Sequence, residues 1–141
     1  MIVQTTRPVQ ALDITNQVIL KAPELPDLGL LWAAVPHTTA ALLMSEVDAD
    51  LLVDLERFAA IWLIPFEPFT HHKNDNPNAA AHLTSALAGT QLLLPIRGGE
   101  VSLGRYQRIV LLELDGPKDR TVELAPVAIA ARVGLDREVG A

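Results

Sequence analysis

The chain has 141 residues, a formal net charge of −6 and no cysteine, and half of its residues are apolar. The acidic charge, the single tyrosine and the lack of a Lys/Arg-rich run argue against a nucleic-acid partner. Zero cysteines exclude disulfides, thiolate zinc sites and a cysteine nucleophile, and they are typical of a cytoplasmic protein.

Length and hydropathy bound the domain organisation. A chain of this size folds as one domain and buries about 70% of the surface that its unfolded form exposes. No apolar run approaches the roughly 20 residues of a membrane-spanning helix, and the N-terminal segment lacks the apolar stretch of a signal peptide. We therefore expect a soluble, cytoplasmic protein without a membrane partner, forming one domain over residues 1–141, with a core at about 3–130 and a flexible C-terminal tail.

The first half of the chain predicts strands and then a helix. Residues 9–20 and 28–35 are strand-like runs, and the turn region between them contains two prolines that interrupt strand hydrogen bonding. Between residues 48 and 62, apolar side chains recur with the period of an amphipathic helix. Pro65 lies just beyond and ends this helix.

The second half predicts one more helix and then several strands. The helix covers residues 77–88, with Asn76 as its N-cap and Gly89 just past its end. Strand-like runs follow at residues 91–96, 100–103, 107–114 and 121–130. Strands, two helices and further strands together predict an α+β fold with a largely antiparallel sheet.

All four histidines lie in one central stretch, as His37, His71, His72 and His82. Imidazole is the commonest metal ligand and titrates near neutral pH, so this cluster is the predicted site. His37, His72 and His82 are expected to converge, whereas His71 should point elsewhere, because adjacent side chains of an extended segment face opposite ways. The spacing matches neither H-E-x-x-H nor E-x-x-H, so a divalent metal, zinc or magnesium, is inferred from the number of histidines alone.

Two polar segments flank these histidines. Thr38 and Thr39 follow His37 at a strand end, where hydroxyls and backbone N–H groups can hold an anion, although a lone loop histidine is usually just solvated. Asn74 and Asp75 precede a helix N-terminus, whose free N–H groups suit phosphate. A small phosphorylated metabolite is therefore the expected ligand.

A row of carboxylates precedes and enters the first helix. Glu46, Asp50 and Asp54 are spaced four residues apart, and they would form an acidic line on one helix face if the helix reached back to Glu46. A cation would relieve their repulsion. The alternative is that acids in a first turn simply favour the helix dipole, and Asp48 is assigned this structural role as the helix cap. Glu46 is predicted to face the histidine pocket.

Basic residues and missing motifs complete the candidate set. Arg105, Arg108, Lys118 and Arg120 lie near two turns and are candidate phosphate contacts, although exposed hairpin charges are usually solvated. His82 lies beside an apolar helix stripe, a position often filled by a core histidine. No glycine-rich dinucleotide or phosphate-loop motif is present, which argues against a nucleotide cofactor, and Ser85 near His82 does not amount to a catalytic triad.

Several motif blocks together carry a family resemblance. His37-Thr38-Thr39-Ala40, His71-His72-x-Asn74-Asp75, Leu103-Gly104-x-Tyr106-Gln107 and Glu113-x-Asp115-Gly116-Pro117 occur in the order of the YjbQ-like family, also called secondary thiamine-phosphate synthase enzymes. The resemblance covers about residues 3–129. It implies a compact α+β fold assembled as a trimer, a His/acid site at or near the subunit boundary, and a weak ability to make thiamine phosphate.

The chain departs from the family pattern at four places. Ser45 replaces Asn, Tyr106 replaces Trp, Lys118 replaces Arg, and the loop between Asp75 and Asn78 is several residues shorter. The tyrosine and the lysine keep the aromatic body and the charge. The shorter loop moves His72 and Asp75 relative to His82, which could alter the choice of substrate.

The leading hypothesis is an enzyme site that couples a pyrimidinylmethyl diphosphate to a thiazole phosphate. The alternatives are a non-catalytic trimeric protein that binds a metabolite or metal, and a metal-dependent hydrolase. The assigned site residues are His37, Glu46 and His82 as catalytic groups; His37, His72 and His82 as metal ligands; and Thr38, Thr39, Asn74, Asp75, Asn78, Arg105, Lys118 and Arg120 as ligand-binding groups. A homotrimer is also expected because the sheet would leave apolar surface exposed on a monomer.

Overall fold

The secondary structure was obtained from a computed structural model, which describes residues 1–71 and 77–130. Three α-helices lie in these ranges: α1 (Thr15–Lys21), α2 (Ala49–Ile61) and α3 (Ala79–Ala88), with a short 3₁₀ turn at Ile64–Phe66. The strands are β1 (Ile2–Gln4), β2 (Gln10–Asp13), β3 (Leu28–Ala34), β4 (Ala40–Ser45), β5 (Gln91–Arg97), β6 (Glu100–Val101), β7 (Arg108–Glu113), β8 (Asp119–Thr121) and β9 (Glu123–Ala128).

The strands form three antiparallel sheets. A four-stranded sheet has the order β6-β5-β3-β9, a three-stranded sheet has the order β2-β7-β4, and β1 pairs with β8. One apolar cluster, which includes Leu31, Leu42 and Leu111, lies between the two larger sheets. A second cluster packs the other face of the three-stranded sheet against α2 and α3. The α+β prediction is confirmed, with helices covering one face of the layered sheets.

The central strand of the three-stranded sheet, β7, is buried on both faces. Along β7, Ile109 and Leu111 join the cluster between the sheets, whereas Val110 and Leu112 join the cluster under the helices. Alternate residues of a strand face opposite sides, so a strand between two apolar layers needs a continuous apolar run. Glu113, at the end of β7, is fully buried by the same layers.

The predicted first helix is confirmed as α2. Asp48 occupies the N-cap position, and its carboxylate accepts a hydrogen bond of 2.8 Å from the backbone N–H of Leu51. The helix begins at Ala49, so Glu46 lies outside it, and the acidic line proposed for Glu46, Asp50 and Asp54 is wrong.

The second predicted helix is also present, but it is shorter than predicted. α3 begins at Ala79 instead of residue 77, with Asn78 in the N-cap position, and the predicted cap Asn76 lies outside the described residues. Gly89 follows the helix with φ at 95°, a conformation that glycine adopts without the strain of a side chain. The predicted stop signal at this glycine is therefore confirmed.

Residues 9–20 do not form the single strand that was predicted. β2 ends at Asp13, whose carboxylate accepts hydrogen bonds from the backbone N–H (2.9 Å) and the hydroxyl (2.6 Å) of Thr15. The chain turns there into α1, which buries Ile14 and Val18 in the core. Branched side chains favour strands only weakly, and packing overrides that preference here. The strand β4 was also not predicted from the sequence.

None of the helices in the described residues is long and apolar enough to cross a membrane. The C-terminal tail that was predicted to be flexible lies at residues 131–141, outside the described residues.

Candidate functional site

The loop between β3 and β4 carries His37, which is pinned by a neighbouring strand. The backbone N–H of Thr121, in β8, donates a hydrogen bond of 2.9 Å to Nε2 of His37. A nitrogen that accepts from an amide N–H carries no proton itself, so the proton of a neutral ring is on Nδ1. The Nδ1–H group is then the remaining polar group of His37.

The surroundings of His37 also keep its ring neutral. Burial is the largest of the causes that lower the pKa of His37. The positive charges of Arg120 and Lys118 lower it further, and the negative charge of Glu113 partly offsets them. The net pKa lies below the usual value of 6.5. His37 is therefore uncharged at neutral pH and can act as a hydrogen-bond donor.

His82, on α3, is held by the same loop. Its Nδ1 lies 3.1 Å from the carbonyl oxygen of Thr38, and a carbonyl oxygen can only accept, so Nδ1 carries the proton. In a neutral ring the opposite nitrogen, Nε2, carries the lone pair, and no group of residues 1–71 and 77–130 bonds it. This is the arrangement by which a backbone carbonyl orients a histidine that acts as a base or as a metal ligand.

The two histidines line one open cavity of about 490 Å³. Its other lining residues are Val35, Pro36, Thr38, Ser85, Ala86 and Thr90. The side chains of His37 and His82 thus contribute different free groups to one cleft, an N–H donor from the first and a lone pair from the second. We call this space the His37–His82 cleft.

Below the cleft, a buried ion pair links Glu113 to Arg120. The guanidinium of Arg120 bonds both carboxylate oxygens of Glu113, through Nε at 2.7 Å and through Nη2. Nη2 also donates to the carbonyl and hydroxyl oxygens of Thr39, each at 3.0 Å. Glu113 is completely buried and Arg120 is 3% exposed. Burial alone would raise the pKa of Glu113, but the bonds from Arg120, the Asp115 backbone and Thr5 bring it below its usual value.

The turn after β7 is fitted closely around this carboxylate. The backbone N–H groups of Leu114 and Asp115 donate to Glu113, at 2.9 and 2.8 Å. A Cβ atom on Gly116 would overlap the backbone carbonyl oxygen of Arg7 and would lie 2.8 Å from Cγ of Glu113, closer than real contacts allow. The Asp-Gly-Pro segment therefore needs glycine at this position, because the Arg7 backbone and the Glu113 side chain occupy the space.

A second, more exposed polar network lies on the outer side of the turn. The carboxylate of Asp115 accepts hydrogen bonds from the Lys118 ammonium at 2.6 Å and from the Asn78 amide at 3.2 Å. Burial would raise the pKa of Asp115, yet these two donors lower it overall. Asn78 occupies the N-cap position of α3, so this network fixes the start of the helix that carries His82.

The prediction that His71 points away from the site is wrong. The rings of His71 and His82 meet edge-on, with their centroids 5.2 Å apart. The segment that ends at His71 returns to α3, which the rule of alternating side chains cannot anticipate. His72, Asn74 and Asp75, three of the predicted site residues, lie outside the described residues.

The part of the chain at 1–71 and 77–130 contains no group of three or more His, Asp or Glu side chains that could hold a metal. Nε2 of His37 already accepts a hydrogen bond, and its Nδ1 carries the proton, so neither nitrogen is free to bind a metal. Among the described residues that line the His37–His82 cleft, only His82 has an imidazole nitrogen, Nε2, that no other described residue bonds. The described residues therefore do not fit a metal centre.

Three other predicted site residues lie far from the His37–His82 cleft. β4 runs from Ala40 to Ser45, so Glu46 lies at the far end of the strand from Thr39, about 20 Å away at the usual rise per residue. Arg105 and Arg108 lie near that same far end, because Ser45 pairs with Arg108. These three residues do not meet His37 and His82 within one chain.

The assignment of Arg120 is corrected, whereas Ser85, which was not expected to form a catalytic triad, has a structural role. Arg120 was predicted to contact a ligand, but its buried guanidinium bonds Glu113 and Thr39. Its role is therefore to hold these two residues in place. Ser85 is buried and donates to the carbonyl of Ala40 at 2.7 Å, which gives it a structural role between α3 and β4. Sequence reading missed the role of Glu113, although a carboxylate at the end of an apolar strand is a signal of a buried ion pair.

The match to known proteins agrees with this fold. A family model described as UPF0047 protein YjbQ-like matches residues 1–128. The chain belongs to the YjbQ-like family.

YjbQ-like relatives cover almost the whole chain. It is 39% identical over 119 residues to a UPF0047 protein from Archaeoglobus fulgidus, a match that spans 84% of this chain and 92% of that protein. A solved structure of a hypothetical protein from Aeropyrum pernix K1 is similar, with a TM-score of 0.80, 36% identity and coverage of 92% and 96% of the two chains. A YjbQ-like relative from Sulfolobus solfataricus P2, with a TM-score of 0.78, 31% identity and coverage of 88% and 91%, is described as being of unknown function.

The buried ion pair yields a stability prediction for this YjbQ-like chain. Glu113→Gln leaves the Arg120 charge buried without its partner, so we expect a loss of about 3–5 kcal/mol in the free energy of unfolding, measured by urea denaturation. The matched control is Glu123→Gln on β9, where the carboxylate is exposed and the change should stay within about 0.5 kcal/mol. Equal effects of the two substitutions would contradict the importance of the pair.

Proposed function

We propose that the His37–His82 cleft is the acid–base centre of an enzyme that acts on a small phosphorylated metabolite. One observation carries this proposal: two imidazoles in one cleft are held by backbone groups so that His37 is left with Nδ1–H and His82 is left with Nε2. A fixed donor and a fixed acceptor in one cavity are the parts that general acid–base catalysis requires.

The roles of the two residues follow from their hydrogen bonds. Nε2 of His82 accepts a proton from the substrate, and the positive charge that forms on the ring is shared with the Thr38 carbonyl through Nδ1–H. Nδ1–H of His37 donates a hydrogen bond to an oxygen that gains negative charge. Because both rings are already oriented by the backbone, little reorganisation is needed when the substrate reacts.

The electrostatics of the cleft support an anionic substrate. The positive charges of Arg120 and Lys118 disfavour a further positive charge on His37, and the negative charge of Glu113 partly offsets them. The Lys118 side chain is 44% exposed, and Thr38 is also exposed beside His37. A phosphate group near His37 would gain from these charges and from the threonine hydroxyl.

The finer proposal is the coupling reaction of a thiamine phosphate synthase. A new bond forms between the thiazole nitrogen and the methylene carbon of the pyrimidine, while the carbon–oxygen bond to diphosphate breaks and diphosphate leaves with the electron pair. The attacking nitrogen carries a lone pair and no proton, so the main requirement is to stabilise the departing charge. The Nδ1–H of His37 and the ammonium of Lys118 suit that task.

A divalent metal, zinc or magnesium, also stays a proposal. The described residues supply one free imidazole nitrogen in the cleft, so such a site would depend on His72 or Asp75. A metal bound there would neutralise the charge of a phosphate group.

The direct test supplies the purified protein with both coupling substrates and measures thiamine phosphate and released diphosphate. We expect product, and a loss of about 10²-fold or more in rate for His37→Gln, which removes the Nδ1–H donor; His82→Gln should have a smaller effect, because the attacking nitrogen has no proton to give up. Glutamine at position 37 keeps an acceptor for the Thr121 N–H, so the fold should persist. Leu87→Ala, on an exposed face of α3, is the matched control and should leave the rate unchanged.

Each other outcome of this assay has a distinct meaning. Substrate binding without product would favour the non-catalytic metabolite-binding alternative over the enzyme. If both histidine variants form product as fast as the native protein, the proposed acid–base centre is excluded.

We further propose that the chain assembles as a homotrimer. The outer face of the four-stranded sheet is apolar: Leu93 is 62% exposed and Val127 is 52% exposed, and the register places Trp32 beside Leu93 and Leu30 beside Val127. Large apolar patches rarely stay exposed on soluble monomers, and a second copy of the chain would cover this one.

Light scattering on purified protein at micromolar concentration tests the assembly. We expect the mass of three chains for the native sequence and of one chain for the double variant Leu93→Glu, Val127→Glu, because charges would be buried in the contact. Leu20→Glu, 80% exposed on α1, is the control and should remain trimeric. A native monomer would exclude the trimer, and a trimeric double variant would exclude this face as the contact.

A further inference from the structure

Both edge strands of the three-stranded sheet are bonded on their outer side by other groups of the chain. On β4, the backbone N–H of Leu42 donates to the carbonyl of Gly89 at 3.1 Å. On β2, the backbone N–H of Ala11 donates to the carboxylate of Glu56 at 2.9 Å. An open strand edge is a template for pairing with another chain, and these bonds occupy it here.

The four-stranded sheet ends on one side at β6, which has two residues, and on the other side at β9, which has six. The backbone N–H of Ile129 donates to the carbonyl of Leu28 at 3.1 Å, so the odd-numbered residues of β9 direct their backbone groups towards β3. Leu124, Pro126 and Ala128 therefore direct theirs away from the sheet. No backbone group of residues 1–71 and 77–130 bonds this outer side of β9.

Pro126 is the middle one of the three outward-facing residues of β9. Proline has no backbone N–H, and its ring carbon takes the place of that hydrogen. A strand added along β9 would lose the central hydrogen bond, and it would meet the ring where neighbouring strands normally lie about 4.8 Å apart. Pro126 is exposed, so packing of the core does not explain why a proline stands there.

The other proline of this sheet shows the same effect within the chain. Pro95, in β5, accepts a hydrogen bond of 2.7 Å from the backbone N–H of Ser102, so its backbone groups face the side of β6. The pairing of β5 with β6 ends at Ile96 and Val101, directly beside Pro95. A proline whose nitrogen faces a neighbouring strand therefore coincides with the end of pairing in this sheet.

Apart from Pro126, the sequence of β9 favours pairing with another strand. Residues 124–130 carry no charged side chain, and Val127 and Ile129 are 52% and 48% exposed. Short uncharged apolar segments without proline are the type that stacks into extended sheets. Two copies of β9 side by side would join two four-stranded sheets into one continuous sheet.

We infer that Pro126 keeps the free edge of β9 from pairing with β9 of a second copy. Contacts between copies are then confined to faces of the molecule, such as the outer sheet face proposed for the trimer. Pro126 has this role in a monomer and in a trimer alike, because it follows from the hydrogen-bond register of β9 with β3.

Light scattering on the Pro126→Val variant over a wide range of concentration tests this role. Valine restores the missing N–H and favours strands. We expect the mass of the variant to rise with concentration to at least about twice the native mass, because the restored donor completes the edge. The mass of the native protein should stay constant. Hydrogen exchange should show the new amide at position 126 protected in the larger species and unprotected in the smallest one.

Two further variants separate the hydrogen bond from the added apolar surface. Ala128→Val places the same side chain at the next outward-facing position of β9 without adding an N–H, and it should keep the native mass. Pro126→Thr restores the N–H with a polar side chain, and it should assemble as Pro126→Val does. Both positions are exposed, so each variant should keep the cooperative urea unfolding of the native protein.

Three results would overturn the role of Pro126. The first is a native mass for both Pro126→Val and Pro126→Thr at every concentration. The second is assembly of Ala128→Val to the same extent, since apolar surface would then be the cause. The third is a larger species in which the new amide at position 126 exchanges freely, since the copies would then join elsewhere.

Discussion

The buried ion pair between Glu113 and Arg120 joins the four segments from which the site is built. Glu113 ends β7, Arg120 lies in β8, and they bond Thr5 after β1 and Thr39 before β4. A charge in this apolar interior is tolerated only when its partner and its hydrogen bonds are complete. The pair therefore fixes these segments relative to one another, and the loop that carries His37 is held by it.

The chemistry of the cleft depends on this arrangement through the backbone. Thr121, next to Arg120 in β8, donates its N–H to His37, and Thr38, next to Thr39, supplies the carbonyl that holds His82. Both rings thus have their proton on Nδ1, but they offer opposite groups to a ligand because opposite nitrogens are engaged. Two histidines with the proton on the same nitrogen therefore present one hydrogen-bond donor and one acceptor to a ligand.

The sequence predicted the fold class and the regular helices better than the site. α2 was predictable because its apolar period and the Asp48 cap agree, whereas α1 was missed because branched residues there suggest a strand and only core packing decides otherwise. His37 and His82 were correctly expected in one pocket, since both line one cavity. The contact between Thr121 and His37 could not be predicted, because a backbone N–H bonds a side chain that lies 84 residues away in the sequence.

Nitrogen-15 NMR of the imidazole groups tests the central claim most directly. At neutral pH, long-range proton–nitrogen correlations should show His37 neutral with its proton on Nδ1 and His82 with a proton on Nδ1, and on acidification His37 should titrate with a pKa below the ordinary value of 6.5. His37 with its proton on Nε2, or protonated above that value, would contradict the account, because Thr121 could then not donate to the ring and His37 would not present the neutral Nδ1–H donor from which the proposed function is derived.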